Sequence, residues 1–234
     1  TKYEGHQVQD KAHDSILRKI DSDSEWYISL LNDAKDNLAE EAYRRYLKVA
    51  TLLYESAQDN YLRKAIEANY VGLNGNKMYN GNTELSLDKV VDVIRYFAAS
   101  KKVTNLYKVK LMKLLWYADA LSYKNRGVTI TGLVYQSMPM GAVPVGHNSI
   151  IELKGVPCEE VDMGEANAYY FSLEEDTAFT NLTKDDKEIL NIVIDKLGHM
   201  TKKEIVEFMH NEVAYKETAP KGIIEFRYAE NLQI

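Results

Sequence analysis

The segment from Leu106 to Tyr123 constrains this chain more than any other, because it is apolar around the whole circumference of a helix. Leu106, Val109, Leu111, Met112, Leu114, Leu115, Trp116, Ala118 and Leu121 leave little room for a polar face. Such a helix is stable in water only when other elements enclose it, so the pattern predicts a central buried helix with Leu111, Leu114 and Leu115 as core. Asn125, Arg126 and Gly127 end it, and Gly127 suits a left-handed helix terminus.

The rest of the chain arranges itself on either side of this helix. Asp10 to Tyr70 contains no Pro and no Gly and is rich in Ala, Glu, Lys, Arg and Leu, which predicts a helical N-terminal region over residues 1–70. Helices are expected at about Asp10–Ile20, at Ser24–Asn32 with Ser24 as the cap, and over Ala39–Tyr70, with a potential break where Ser56 and Asp59 have capping spacing. In the long helix Tyr43, Leu47, Ala50, Tyr54, Ala57 and Tyr61 form a seam that packs either within the chain or against a second copy, making 39–70 a candidate homodimer segment. Residues 71–85, rich in Gly and Asn, read as a linker.

Residues 86–234 read as a compact helical domain with short strands or a β-hairpin. Ser86 is placed to cap a helix with Leu87, Val90, Val91, Ile94 and Phe97 on one face. Residues 128–147 read as extended or turning. Val156–Met163 and Ala168–Leu173 are expected to pair as a hairpin, Lys184–Leu197 and Lys202–Asn211 to form helices, and Ile223–Tyr228 a terminal strand. The expected fold class is α+β, predominantly helical.

Composition narrows the function. A net charge of -6 argues against a broad nucleic-acid surface, which needs concentrated basic charge. The single cysteine, Cys158, excludes an intrachain disulfide and fits a reducing cytoplasm, and no stretch is apolar and long enough to span a membrane. Thr1 in place of an initiator Met leaves a trimmed start or a fragment as alternatives. Seventeen Tyr against five Phe and two Trp give many rings a hydroxyl that suits interfaces as well as half-buried helix rims.

No phosphate-binding glycine loop, zinc helix, nucleophile elbow or dinucleotide fingerprint occurs, and neither a metal nor a cofactor is expected. The best catalytic pair is in FMHNEVAY, where His210 and Glu212 have acid and base chemistry. A His near a helix C-terminus is equally good capping chemistry, and no third group completes a triad. YQSMPMGAVPVGH, residues 135–147, is the other unusual stretch. Its Pro and Gly shape the backbone, and its Met residues suit a core gap or an adaptable contact surface. On the second reading Tyr135, Met138, Pro139 and Met140 form a preorganised ledge.

The run KVKLMKLLWYADALSYKNRGVTITGLVYQSMPMGAVP, residues 108–144, resembles the core of the Panacea domain, the SocA-like antitoxin family. Lys110, Leu111, Lys113, Leu114, Leu115 and Tyr117 match its helix motif. Tyr135, Gly141, Val143 and Pro144 match the later turn, although Ala142 stands where the commoner pattern has Pro. IVEFMHNEVAYKETAPKGIIEF resembles the family's C-terminal helix and tail, with His210 in place. The resemblance covers about 86–234 and implies a non-enzymatic antitoxin that neutralises a toxin encoded beside it by direct binding. Tyr117 and His210 join the ledge residues as candidate toxin contacts. It also implies an alternative, an adaptor that delivers the toxin to a protease. The first 70 residues resemble a region that joins an upstream zinc ribbon and helix-turn-helix in longer relatives. DNA binding is therefore expected only through such an upstream region, which is absent from this sequence.

Overall fold

Helix starts follow local capping chemistry. The computed structural model describes residues 11–73, 75–162, 164, 167–174 and 178–234, and its contacts divide the chain into two compact units, Thr1–Tyr61 and Leu62–Ile234. In the first unit lie α1 (Lys11–Ser22), α2 (Ser24–Asp33) and most of α3 (Glu40–Val71). The cap of α2 is Asp23 rather than the expected Ser24; its carboxylate accepts from Trp26 N at 2.9 Å. α3 runs through Ser56 and Asp59 without the expected break, since good helix formers on both sides outweigh one weak capping pair. Tyr43 Oη donates to Asn32 Oδ1 at 2.8 Å, and Ala50 is buried. The predicted seam is therefore half-buried or buried at Tyr43, Leu47, Ala50 and Tyr54, but exposed at Ala57 and Tyr61.

The described residues of the 71–85 stretch, expected as a linker, hold local structure. They carry α4 (Lys77–Asn80), capped by Asn76 and closed by Gly81 in the left-handed conformation. The stretch is pinned to the 127–131 region: Thr129 Oγ1 donates to Asn80 O at 2.8 Å, Asn82 Nδ2 to Gly127 O at 2.9 Å and Ser86 N to Thr131 O at 2.9 Å. Ser86 then caps α5 (Leu87–Ala99), whose predicted apolar face is buried.

The all-round apolar segment forms α6 (Lys108–Arg126), ended by Gly127 at φ 73°. Leu111, Leu114 and Leu115 are fully buried in it. The hairpin β1 (Tyr135–Met138) and β2 (Gly141–Pro144) follows, pairing antiparallel from Tyr135↔Pro144 to Met138↔Gly141. After the short α7 (His147–Ile150), β3 (Cys158–Asp162) and β4 (Asn167–Phe171) make the hairpin that the sequence predicts. α8 (Lys184–Leu197) and α9 (Lys202–Asn211) open on capping boxes, Thr183 with Asp186 and Thr201 with Glu204. α10 (Val213–Lys216) follows. α5, α8, α9, β2, β4 and the C-terminal tail all pack on α6. The architecture is α+β and predominantly helical.

The terminal strand is realised only at its start. Ile223 bridges Gln136, after which the chain coils into a 3-10 helix over Phe226–Asn231. Phe226, Ala229 and Leu232 are buried, a spacing of three that a strand's alternation cannot deliver.

Two buried polar groups tie α6 to the hairpin. Asp119, fully buried, accepts from Ile130 N (2.8 Å), Thr131 N (2.9 Å), Thr131 Oγ1 and Tyr135 Oη (2.7 Å). Burial raises its pKa, and the hydrogen bonds of Thr131, Tyr135 and Ile130 oppose that rise. Six residues earlier, Lys113 donates from Nζ to Ala142 O of β2 at 2.9 Å, and burial lowers its pKa to about 7. Asp119→Ala strands four donors, so it should lower stability by about 3 kcal/mol or more in urea unfolding, with Asp119→Asn costing less. Equal, small losses for the two variants would contradict the anchor.

Lys113 generates a pH prediction. Its folded pKa lies below the ordinary value, so between about 7 and 10.5 the unfolded chain holds a proton that the folded chain does not, and stability rises with pH. Lys113→Met should flatten the rise in urea midpoint between pH 7 and the onset of tyrosine ionisation. An unchanged slope would show that the amine is not desolvated.

Candidate functional site

The β1–β2 turn sits on α9 because Gly141 has no side chain. At φ 99° it adopts a conformation that favours glycine, and a Cβ there would lie 2.5 Å from Met209 Cγ and 3.1 Å from Lys113 Cε. Pro139 and Met140 form the two-residue connection between Met138 and Gly141. The carbonyl of Pro139 accepts a hydrogen bond from His210 Nε2 at 3.1 Å, which puts the proton on that nitrogen. His210 lies in the last turn of α9 and stacks on Tyr215 with ring centroids 4.5 Å apart and planes 19° from parallel.

This stacking needs the break at Glu212. With φ -66° and ψ 140°, Glu212 ends α9 and starts α10, so the two rings meet. On a continuous helix, residues five apart point in different directions. The turn, His210 and Tyr215 thus form one surface unit in which Pro139 and Met140 are exposed and Met138 is half-buried.

A cleft lies on either side of His210. One, of about 520 Å³, is lined by Met140, Lys202, Lys203, Val206, Glu207 and Asn211 together with His210. The other, of about 470 Å³, is lined by Met138, Pro139, Tyr215, Lys216, Thr218, Pro220 and Lys221 among others, again with His210. Lys202, Lys203, Lys216 and Lys221 against Glu207 make this surface basic on a chain of net charge -6. A third concavity, of about 610 Å³, opens where α6 begins beside β4. There Lys108 Nζ lies 4.9 Å from the Tyr169 ring centroid and donates to Asn148 Oδ1 at 2.6 Å.

The structure gathers four of the six sequence-derived contact candidates, Met138, Pro139, Met140 and His210, and separates the other two. Tyr117 and Tyr135 are fully buried. Tyr117 packs edge-on against Trp116 at 4.9 Å and donates to Glu212 Oε1 at 3.1 Å. Tyr135 donates to Asp119 and meets Phe226 edge-on at 6.1 Å. In both, burial lifts the hydroxyl pKa well above its ordinary value. These tyrosines support the surface from beneath.

The His210 and Glu212 pair is divided in the same way. Glu212 is buried, its Oε1 accepting from Tyr117 and from Gln233 N at 3.4 Å, and burial raises its pKa. It joins the end of α9, α6 and the tail, whereas His210 faces the turn. Among the described residues no group of three or more His, Cys, Asp or Glu is placed to hold a metal ion, and no helix is long and apolar enough to cross a membrane. Sequence reasoning missed Tyr215 and the lysines of α9 because neither carries a local motif. The signal for Tyr215 lay in the helix break at Glu212.

No curated protein and no solved structure matches the chain. Residues 111–215, the segment that runs from the buried face of α6 through the β1–β2 turn to Tyr215, match the family model of the antitoxin SocA-like Panacea domain.

Proposed function

We propose that this chain is an antitoxin that neutralises a toxin encoded beside it, by direct binding through the β1–β2 turn and the adjoining end of α9. The observation that carries this reading is the assembly of Met138, Pro139, Met140, His210 and Tyr215 into one held surface inside the segment that matches an antitoxin family. Preorganisation favours such a role, because the turn loses little conformational freedom on association. The contact is one of shape and charge, with no catalytic step, and it acts in the cytoplasm. Met138 and Met140 supply adaptable apolar contact, and Lys202, Lys203, Lys216 and Lys221 favour a toxin surface that presents carboxylates beside an apolar anchor.

The family resemblance supports a second reading, an adaptor that hands the toxin to a protease. The two part in a purified assay: a direct inhibitor suppresses the toxin alone, and an adaptor needs the protease. DNA recognition belongs to neither, in keeping with the net acidic charge.

Rescue of cells expressing the neighbouring toxin tests the surface. Met140→Ala with His210→Ala, and separately Lys202→Glu with Lys203→Glu, should lose rescue while circular dichroism remains that of the parent. Each should weaken toxin binding about tenfold or more, the scale of a lost interface anchor. Full rescue by both folded double variants would place the toxin contact elsewhere.

A further inference from the structure

The edge of β4 away from β3 is only partly covered. Tyr107 bridges Tyr170, but the chain enters α6 at Lys108, so the segment that starts to pair with β4 stops after one bridge. Phe171 N donates to Leu106 O at 3.0 Å, away from its register partner Cys158 on β3. Successive residues of a strand turn their N–H and C=O to opposite edges, so Tyr169 and Asn167 present theirs to the same outer side as Phe171. Among the described residues no strand continues the sheet there.

The charge around this edge is of one sign. Asn167, Ala168 and Tyr169 line the cleft of about 610 Å³ at the start of α6, and Lys108, Lys110 and Lys202 line it with them. None of the described residues that line it is acidic. Glu204 of α9, whose charge acts on Lys110, is held by Thr201 N at 2.7 Å in its capping box. Lys110 is buried, with Nζ donating to Thr104 O and, at 2.6 Å, to Gly198 O. Burial lowers its pKa to about 8 and lowers that of Lys108 as well, so an anion in the cleft would stabilise both charged forms. The open edge selects among anions. Its N–H and C=O groups recur at the spacing of an extended peptide, whereas a nucleic acid would meet a chain of net charge -6.

We propose that this cleft takes an extended acidic peptide segment of a protein partner, which adds as a strand to the edge of β4 at 167–169 and sets its carboxylates against Lys108 and Lys202. Lys202 also lines the 520 Å³ cleft beside His210, so the two clefts adjoin across one side chain. The β4 edge is nevertheless a site of its own, with backbone hydrogen bonds supplying affinity and the lysines supplying the preference for acid.

Fluorescence anisotropy of the full chain with a short labelled peptide alternating Glu and Val tests this without any toxin, so its outcome is independent of the role of the β1–β2 turn. The peptide should bind, more weakly as salt is raised, and its counterpart alternating Gln and Val should bind about tenfold or more weakly. Lys108→Gln with Lys202→Gln should remove that difference while circular dichroism remains that of the parent. In the parent chain, amide exchange at Asn167 and Tyr169 should slow when the acidic peptide is bound. No binding of the acidic peptide up to about 1 mM, equal binding of the two peptides, tighter binding of a single-stranded oligonucleotide, or unchanged exchange at 167–169 would each overturn the proposal.

Discussion

The arrangement depends on Asp119. A carboxylate at the centre of an all-round apolar helix is expensive to bury, and this one is offset by four donors from the chain that returns across α6 after Gly127. Those donors all lie between Ile130 and Tyr135, so the bond set fixes where β1 begins. Tyr70 adds to the same region: its hydroxyl donates to Val145 O at 3.0 Å and accepts from Val134 N at 3.4 Å. The two ends of the hairpin are thereby pinned to buried side chains.

Everything exposed in the candidate surface inherits its position from that pin. β1 leaves Asp119 at Tyr135, the turn follows at Pro139 and Met140, and β2 returns over Lys113, whose amine holds Ala142 O. Gly141 allows the approach to Met209, and α9 then presents His210 to Pro139 O. Glu212 closes the arrangement from the other side, joining Tyr117 of α6 to the tail. The matched family segment begins on α6 and ends at Tyr215, so it includes Lys113, Tyr117 and Asp119 along with the turn and the ring stack.

The sequence was most legible where one local rule decides the outcome. The Ser86 cap, the Thr201 and Glu204 capping box, the buried α6 and the β3–β4 hairpin all follow from residues near in sequence. It was least legible where distant partners decide. Asp119 is a single carboxylate with no local motif, and its four donors come from Ile130, Thr131 and Tyr135, eleven or more residues later. Tyr117 and Tyr135 looked like contact residues because Tyr favours interfaces, but their hydroxyls find Glu212 and Asp119 inside. Asn76 and Gly81 carry the composition of a linker, yet they cap a helical turn that hydrogen-bonds to the 127–131 region.

On the proposed function, the β1–β2 turn and the end of α9 form one binding surface for a toxin. Amide hydrogen exchange of the purified chain, alone and with the toxin encoded beside it, addresses that directly. Binding should slow exchange across residues 136–143 and 202–216 together, and leave the amides of α3 as they are in the free chain. Protection confined to α3, or to the β3–β4 hairpin, with the turn and α9 unchanged, would contradict the account.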